Sequence, residues 1–265
     1  MRFTRLANGL EIAEINGDET KFLYDEIFVQ EVYAAYDLRV PADGIVLDVG
    51  ANIGMFSLYA LQKFPGIRIY CFEPAPHCLE RLRINTAPFG EAVRIFPTAL
   101  GDTEGEVEFS YYPHYSIISG MFANEQQDLM VLRAGAATQY RERYGTRPSE
   151  RELDLLVGSK LKGKQTFRCP ITTLSRIMAA EGIGHVSLAK IDVERAENAI
   201  LAGIDDADWP KIDQLVVEVH DQGNREHELM IDMLNRRGYQ TSLFTEPTLK
   251  NSDIYVALAK RQLIR

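Results

Sequence analysis

The 265-residue sequence predicts an α/β fold of the doubly wound, Rossmann-like kind, built on a mostly parallel sheet. Three observations carry that prediction. From Gly44 onward, short apolar runs alternate with stretches of helical periodicity. The first run, Ile45–Val49, empties into a turn with glycines at 50 and 54 before a helix. The chain closes on two runs near in sequence, Tyr239–Phe244 and Ile254–Ala259, which suit an antiparallel pair at the sheet edge.

Taken in order, Phe3–Ile15 reads as a hairpin turning at Asn8-Gly9, and Glu19–Tyr36 as a helical piece. Together they make residues 1–43 a hairpin and helical cap on a main domain spanning 44–265. In that domain Met55–Lys63 follows the first strand as a helix. Arg68–Phe72 is a second strand, Ala75–Asn85 a helix, Val93–Pro97 a third strand and Glu106–Tyr111 a fourth. After an insertion come the strands Val186–Val193 and Gln214–Val219, the helix Glu226–Arg237 and the closing strand pair. A doubly wound sheet places its ligand beyond the carboxyl ends of its strands, so the motifs there are the ones to read.

Composition narrows the function classes. Hydrophobic residues make up 46% and charged residues 25%, ordinary for a soluble globular protein with one core. No apolar run approaches the roughly 20 residues of a membrane span, and Met1–Ile15 lacks the layout of a secretory signal. Cys71, Cys78 and Cys169 are odd in number and lack metal-type spacing, so a reducing, cytoplasmic setting is expected. The net charge of −9 argues against nucleic acid or an anionic membrane as partner.

The strongest motif is Val46-Leu47-Asp48-Val49-Gly50-Ala51-Asn52-Ile53-Gly54. Its glycines let backbone approach a ligand and present N–H groups at a helix start, although a glycine pair alone also fits a ligand-free turn. A dinucleotide fingerprint needs a glycine where Asn52 stands, to make room for pyrophosphate. Asp48 just upstream suits a cationic or amino-acid-like group better. The second strand ends in Cys71-Phe72-Glu73-Pro74, where an acid accepts hydrogen bonds from ribose hydroxyls. Ala99-Leu100-Gly101-Asp102 follows the third strand, where an adenine ring can lie against Ala99 and Leu100. A nucleoside with an amino-acid tail and no phosphate is S-adenosylmethionine, with S-adenosylhomocysteine as its product. The cofactor set is therefore Asp48, Gly50, Ala51, Asn52, Gly54, Glu73, Pro74, Ala99, Leu100 and Asp192.

With these residues in place, the sequence resembles the FkbM family of methyltransferases over nearly its whole length. The resemblance runs through Val46–Gly54, Phe72-Glu73-Pro74, Tyr115–Gly120, Lys190–Glu194, and Trp209-Pro210-Lys211 leading to Val217–Asp221. The stretch Glu19–Phe28 is similar to the branch embedded in polyketide and peptide synthetase assembly lines. This implies a class I S-adenosylmethionine-dependent methyltransferase fold: a mostly parallel seven-stranded sheet with helices on both faces, an N-terminal hairpin and helical extension, and a helical lid insertion. It also implies O-methylation of a hydroxyl on a carrier-bound intermediate, such as a β-hydroxyacyl group on an acyl carrier protein. Arg195 departs from the pattern, since the family more often has a small residue there.

Methyl transfer from a sulfonium is an in-line displacement, and an alcohol acceptor must also lose a proton. Glu218 and His220 stand at i and i+2 near the end of a strand and share one face. His220 is the candidate general base, with Glu218 orienting the imidazole. On the preceding strand Asp192 borders the methionine moiety or the acceptor, and Lys190 neutralises nearby acids. Tyr115, Ser116 and Glu194 are candidate substrate and lid residues. Asp192, Glu194, Glu218, His220 and Asp221 also offer the donors of a hard-metal site, though none is assigned.

The insertion, residues 112–167, contains helical stretches at Asn124–Tyr144 and Pro148–Val157 and has the character of a lid over an acceptor pocket. Arg133–Arg168 holds nine Lys and Arg against four Asp and Glu, a basic patch that suits docking of an acidic carrier protein. A solvated helix face would give the same composition. Three other readings stay open: a stand-alone enzyme methylating a sugar or lipid hydroxyl, an NAD-dependent oxidoreductase, and a non-catalytic cofactor-binding domain. Asn52 weighs against the oxidoreductase, and Glu218 with His220 against the non-catalytic domain.

Overall fold

The computed structural model describes residues 1–221, 223–245 and 254–261. The chain opens with an antiparallel hairpin, β1 (Arg2–Arg5) and β2 (Glu11–Glu14), which turns through Gly9 at φ +87°. Helix α1 (Gly17–Tyr24) follows, with the Asn16 side chain accepting from the backbone of Glu19. The single helix expected over Glu19–Tyr36 is broken. A π-turn at Asp25–Val29 and a 3₁₀ turn at Val32–Tyr36 replace its second half, and Glu31 sits between them at φ +49°. Packing accounts for the break. It turns Phe28 and Tyr33 against Tyr59, and Tyr33 against Phe56, with ring centroids 4.8–5.9 Å apart.

The main body then runs β3 (Ile45–Val49), α2 (Met55–Lys63), β4 (Arg68–Phe72), α3 (Pro76–Thr86) and β5 (Val93–Phe96). Next come β6 (Ala99–Leu100), β7 (Gly105–Tyr111), α4 (Glu125–Tyr144), α5 (Glu150–Val157), β8 (Gln165–Thr172) and α6 (Leu174–Ala180). The chain ends with β9 (Leu188–Ile191), α7 (Glu197–Ala202), β10 (Gln214–His220), α8 (Glu226–Arg236), β11 (Tyr239–Phe244) and β12 (Ile254–Arg261). Seven strands form the central sheet in the order β11-β12-β10-β9-β3-β4-β5, parallel except for β12. Both faces are covered, so the inner strands are apolar on both sides. Leu47 and Val49 of β3 enter one core with Ile191 and Val217, while Val46 enters the other with Leu58 and Ile69. The order reverses between β3 and β9, and the crevice opens at their carboxyl ends.

One expected strand belongs elsewhere. Glu106–Tyr111 does not join the central sheet; within β7 it pairs antiparallel with β8, and β8 pairs with β6, in a separate three-stranded sheet. Its alternation is the reason. Glu106 and Glu108 point to solvent while Phe109 and Tyr111 are buried, the pattern of a strand with one wet face. Strand β8 and the short helices α6 and α7 have no counterpart in the sequence reading. The insertion carries the two expected helices, α4 capped by Asn124 and α5 by a Ser149–Glu152 capping box.

Candidate active site

The crevice is built first by backbone. At the end of β3 the N–H groups of Gly50 and Ala51 both donate to Phe72 O, at 3.1 and 3.0 Å. Gly50 has φ +78°, and a Cβ there would lie 1.9 Å from the Asp192 carbonyl oxygen, so only glycine fits. Asn52 also adopts a left-handed conformation, at φ +48°, which asparagine tolerates better than most residues. Its Oδ1 accepts from Ile53 N, and its Nδ2 donates to Ser116 Oγ at 3.0 Å. Asn52 thereby links the turn to the segment after β7.

A large cavity opens above this turn. It is lined by Gly50, Ala51, Asn52, Glu73, Pro74, Ala99, Leu100, Tyr115, Ser116, Asp192, Glu194 and Glu218, all singled out from the sequence. Glu73 is buried at the mouth of β4. Its Oε2 accepts from Asn52 N at 2.8 Å and its Oε1 from Ala75 N at 2.7 Å. Burial outweighs these bonds and raises its pKa to about 7. Each oxygen keeps a lone pair for a further donor.

Three sequence candidates do not line the cavity. Asp48 is fully buried beneath it, accepting from Ser57 Oγ at 2.6 Å and paired with Lys190 Nζ at 3.5 Å. Lys190 also reaches Asp192 at 3.0 Å and Gly50 O at 3.2 Å, so Asp48 acts on the crevice through this lysine. Gly54, at φ +94°, faces α3, where a Cβ would meet Leu82 Cδ1 at 2.8 Å. It permits helix packing rather than ligand approach.

The third is His220, the candidate general base that Glu218 was expected to orient; it lies behind the cavity wall, not on it. Its Nδ1 lies 2.8 Å from Glu197 Oε1, and its Nε2 3.1 Å from Glu194 and 3.4 Å from Glu218. Burial alone would push the imidazole toward neutrality. Charge and hydrogen bonding from Glu194 and Glu197 outweigh it and hold the pKa well above the usual value. His220 is thus buried behind two cavity-facing carboxylates, Glu194 and Glu218, whose charge favours its protonated form. Asp221 turns away to pair with His227, and among the described residues no cluster of His, Cys, Asp or Glu is arranged to hold a metal ion.

Two residues were missed in the sequence. Glu197 begins α7, and nothing local marks it as the partner of a histidine 23 positions later. Glu19, buried in α1, accepts from the backbone N–H of Ser116 at 2.9 Å and from its hydroxyl, tying the N-terminal cap to the cavity wall. The Asn16-x-x-Glu19 spacing signals a helix start but not this reach.

Five carboxylates (Glu26, Glu73, Asp192, Glu194 and Glu218) line the cavity against the ammonium groups of Lys160 and Lys190. That excess repels a pyrophosphate and suits a cationic ligand. A family model described as the methyltransferase FkbM domain matches residues 48–241. The chain belongs to the FkbM methyltransferase family. It is an S-adenosylmethionine-dependent methyltransferase, and its glycine turn, buried Glu73 and acid-rich cavity fit that phosphate-free, cationic nucleoside.

The FkbM-family chain is 36% identical over 262 residues to the AMB antimetabolite synthetase AmbE of Pseudomonas aeruginosa. That match covers 97% of this chain but only 12% of the synthetase. It is 33% identical over 258 residues to the 31-O-demethyl-FK506 methyltransferase FkbM of Streptomyces tacrolimicus, covering 97% of this chain and 96% of the relative. A crystal structure of methyltransferase FkbM from Methylobacillus flagellatus shares the fold, with a TM-score of 0.54 at 14% identity. That likeness covers 86% of this chain and 46% of the other. No described helix is long and apolar enough to cross a membrane.

Proposed function

We propose that this enzyme methylates a hydroxyl oxygen of a natural-product intermediate, a β-hydroxyacyl group carried on an acyl carrier protein. The observation that supports an oxygen acceptor is the pair Glu194 and Glu218, two carboxylates on the cavity wall braced from behind by His220. S-adenosylmethionine supplies an electrophilic methyl group on a sulfonium. In this reading Glu73 takes the ribose hydroxyls, Pro74, Ala99 and Leu100 flank the base, and Gly50, Ala51, Asn52 and Asp192 surround the methionine end.

Glu194 and Glu218 then face the acceptor hydroxyl; one of them accepts its single proton as the oxygen takes the methyl group, contributing the roughly 10²–10⁴-fold typical of a placed base. His220 is a positioning residue that fixes both carboxylates, and Glu197 keeps it protonated. Lys190 orients Asp192. Tyr115 and Ser116, with Val131 and Leu132 of α4, enclose the acceptor end as a lid and exclude water.

Carrier docking has partial support from charge. Within the basic segment Arg133 pairs with Glu150 and Asp154, Lys164 with Glu125, and Arg168 with Glu106. Arg141, Arg147, Arg151 and Lys162 are exposed and available to an acidic carrier protein. The side chain of Arg143 lies outside the described residues. The deciding experiment is methyl transfer to 3-hydroxyacyl groups on a carrier protein and on short thioesters, read by intact mass. A gain of one methyl on the hydroxyl supports the reading. Transfer only to sugar or lipid hydroxyls would replace it with the stand-alone alternative.

A further inference from the structure

Among the described basic residues of 133–168, Lys160 is the one whose side chain lines the cavity. It lies in the turn after α5, its backbone N–H bonded to Val157 O at 3.0 Å, and its side chain enters the cavity. Arg133, Lys164 and Arg168 each have a carboxylate partner, whereas among the described residues Lys160 has none within 4 Å. Its Nζ lies instead 3.8 Å from the centroid of the Tyr115 ring. Glu19 is the buried acid on this side, and its oxygens are committed to Ser116 and Asn16.

A partly buried ammonium with only an aromatic face beside it keeps N–H donors that need an acceptor. Lys160 and Tyr115 line the same cavity as the proton-accepting carboxylates Glu194 and Glu218. Burial pushes the Lys160 pKa down, and Asp18 and Glu19 act on it only through space.

We propose that Lys160 is the specificity-determining residue of the acceptor end, where its ammonium donates to an acyl oxygen of the acceptor, a thioester carbonyl or a carboxylate. This deepens the methyltransferase reading and rests on it. It selects acceptors that carry an acyl oxygen near the hydroxyl over simple alcohols of the same length.

The test is calorimetry on the full chain saturated with S-adenosylhomocysteine. Three probes are compared: S-(3-hydroxybutyryl)pantetheine, its thioether analogue lacking only the carbonyl oxygen, and 3-hydroxybutyrate. Lys160→Met should weaken the thioester or the carboxylate roughly tenfold to a hundredfold, as expected for a charged hydrogen bond, and leave the thioether unchanged. Whichever probe responds identifies the source of the oxygen. Lys160→Arg should restore most of the affinity, and both variants should keep the homocysteine-ligand affinity of the wild type. Equal loss for thioester and thioether, no loss with any probe, or no probe binding to wild type would overturn the proposal. Failure of the wild type to bind S-adenosylhomocysteine at all would instead sink the cofactor reading beneath it.

Discussion

Arg195 Nη1 lies 2.6 Å from Asp128 Oδ1, and the two side chains are only 4% and 1% exposed. The pair joins the loop carrying Asp192 and Glu194 to helix α4 of the insertion. Tyr112 adds a hydrogen bond to the same carboxylate at 3.1 Å. Arg195 holds φ +65°, a conformation that glycine adopts freely and arginine does not. The backbone strain is maintained by the ion pair. Replacing Asp128 with Ala strands a buried guanidinium, and the expected cost is about 3–5 kcal/mol in urea unfolding. A loss below about 0.5 kcal/mol would mean the pair bears no weight.

Gly50 makes a sharper prediction, because its would-be Cβ meets backbone and not a movable side chain. Gly50→Ala should abolish binding of S-adenosylhomocysteine or prevent folding, since the 1.9 Å contact with Asp192 O forces β3 and β9 apart. Gly54→Ala meets only the tip of Leu82 and should retain binding at reduced stability. Equal behaviour of the two variants, measured by calorimetry and thermal melting, would contradict the division of roles between these glycines.

The fold was largely legible in the sequence because its strands are short, apolar and bounded by turns, so that Ile45–Val49, Arg68–Phe72 and Tyr239–Phe244 match their observed limits. Local pattern failed where tertiary partners decide. Nothing near Glu106–Tyr111 reveals that its partner strand lies beyond the insertion, and nothing near Phe28 reveals that aromatic packing will break a helix. The cavity wall was legible for the same reason as the fold: its residues cluster at strand ends. The burial of Asp48 and His220 was not, since an alternating strand pattern says which face a side chain takes but not what covers that face.

With Glu73 on the ribose, as proposed above, its titration sets the pH dependence of cofactor binding. Its pKa is raised to about 7 in the free protein, and two donating ribose hydroxyls favour the ionised form. Binding should therefore release a proton near neutrality, and affinity should rise with pH and level off above about 7. Calorimetry in buffers of different ionisation heat measures that proton directly. Glu73→Gln should remove both the proton release and most of the pH dependence. A pH-independent affinity in the wild type would exclude Glu73 from the ribose.

His220 carries the prediction that separates a buried imidazolium from a free general base. Its folded pKa is held above the unfolded value of 6.5. The stability it contributes is therefore full below pH 6.5 and fades as pH rises through the raised folded value. His220→Asn should flatten that alkaline loss. It should also destabilise the protein by about 3–5 kcal/mol near pH 6.5, because Glu197 is left buried without a counter-charge. Glu218→Gln leaves the Glu194 and Glu197 contacts of His220 intact, so it should lower turnover by roughly 10²-fold or more while sparing stability and cofactor affinity. Glu194→Gln should lower turnover as much and also move the alkaline limb of the stability profile to lower pH. A free base would behave the other way. His220→Asn would then cost turnover alone, with no change in the alkaline limb of the stability profile, and that outcome would return the proton-accepting role to the imidazole.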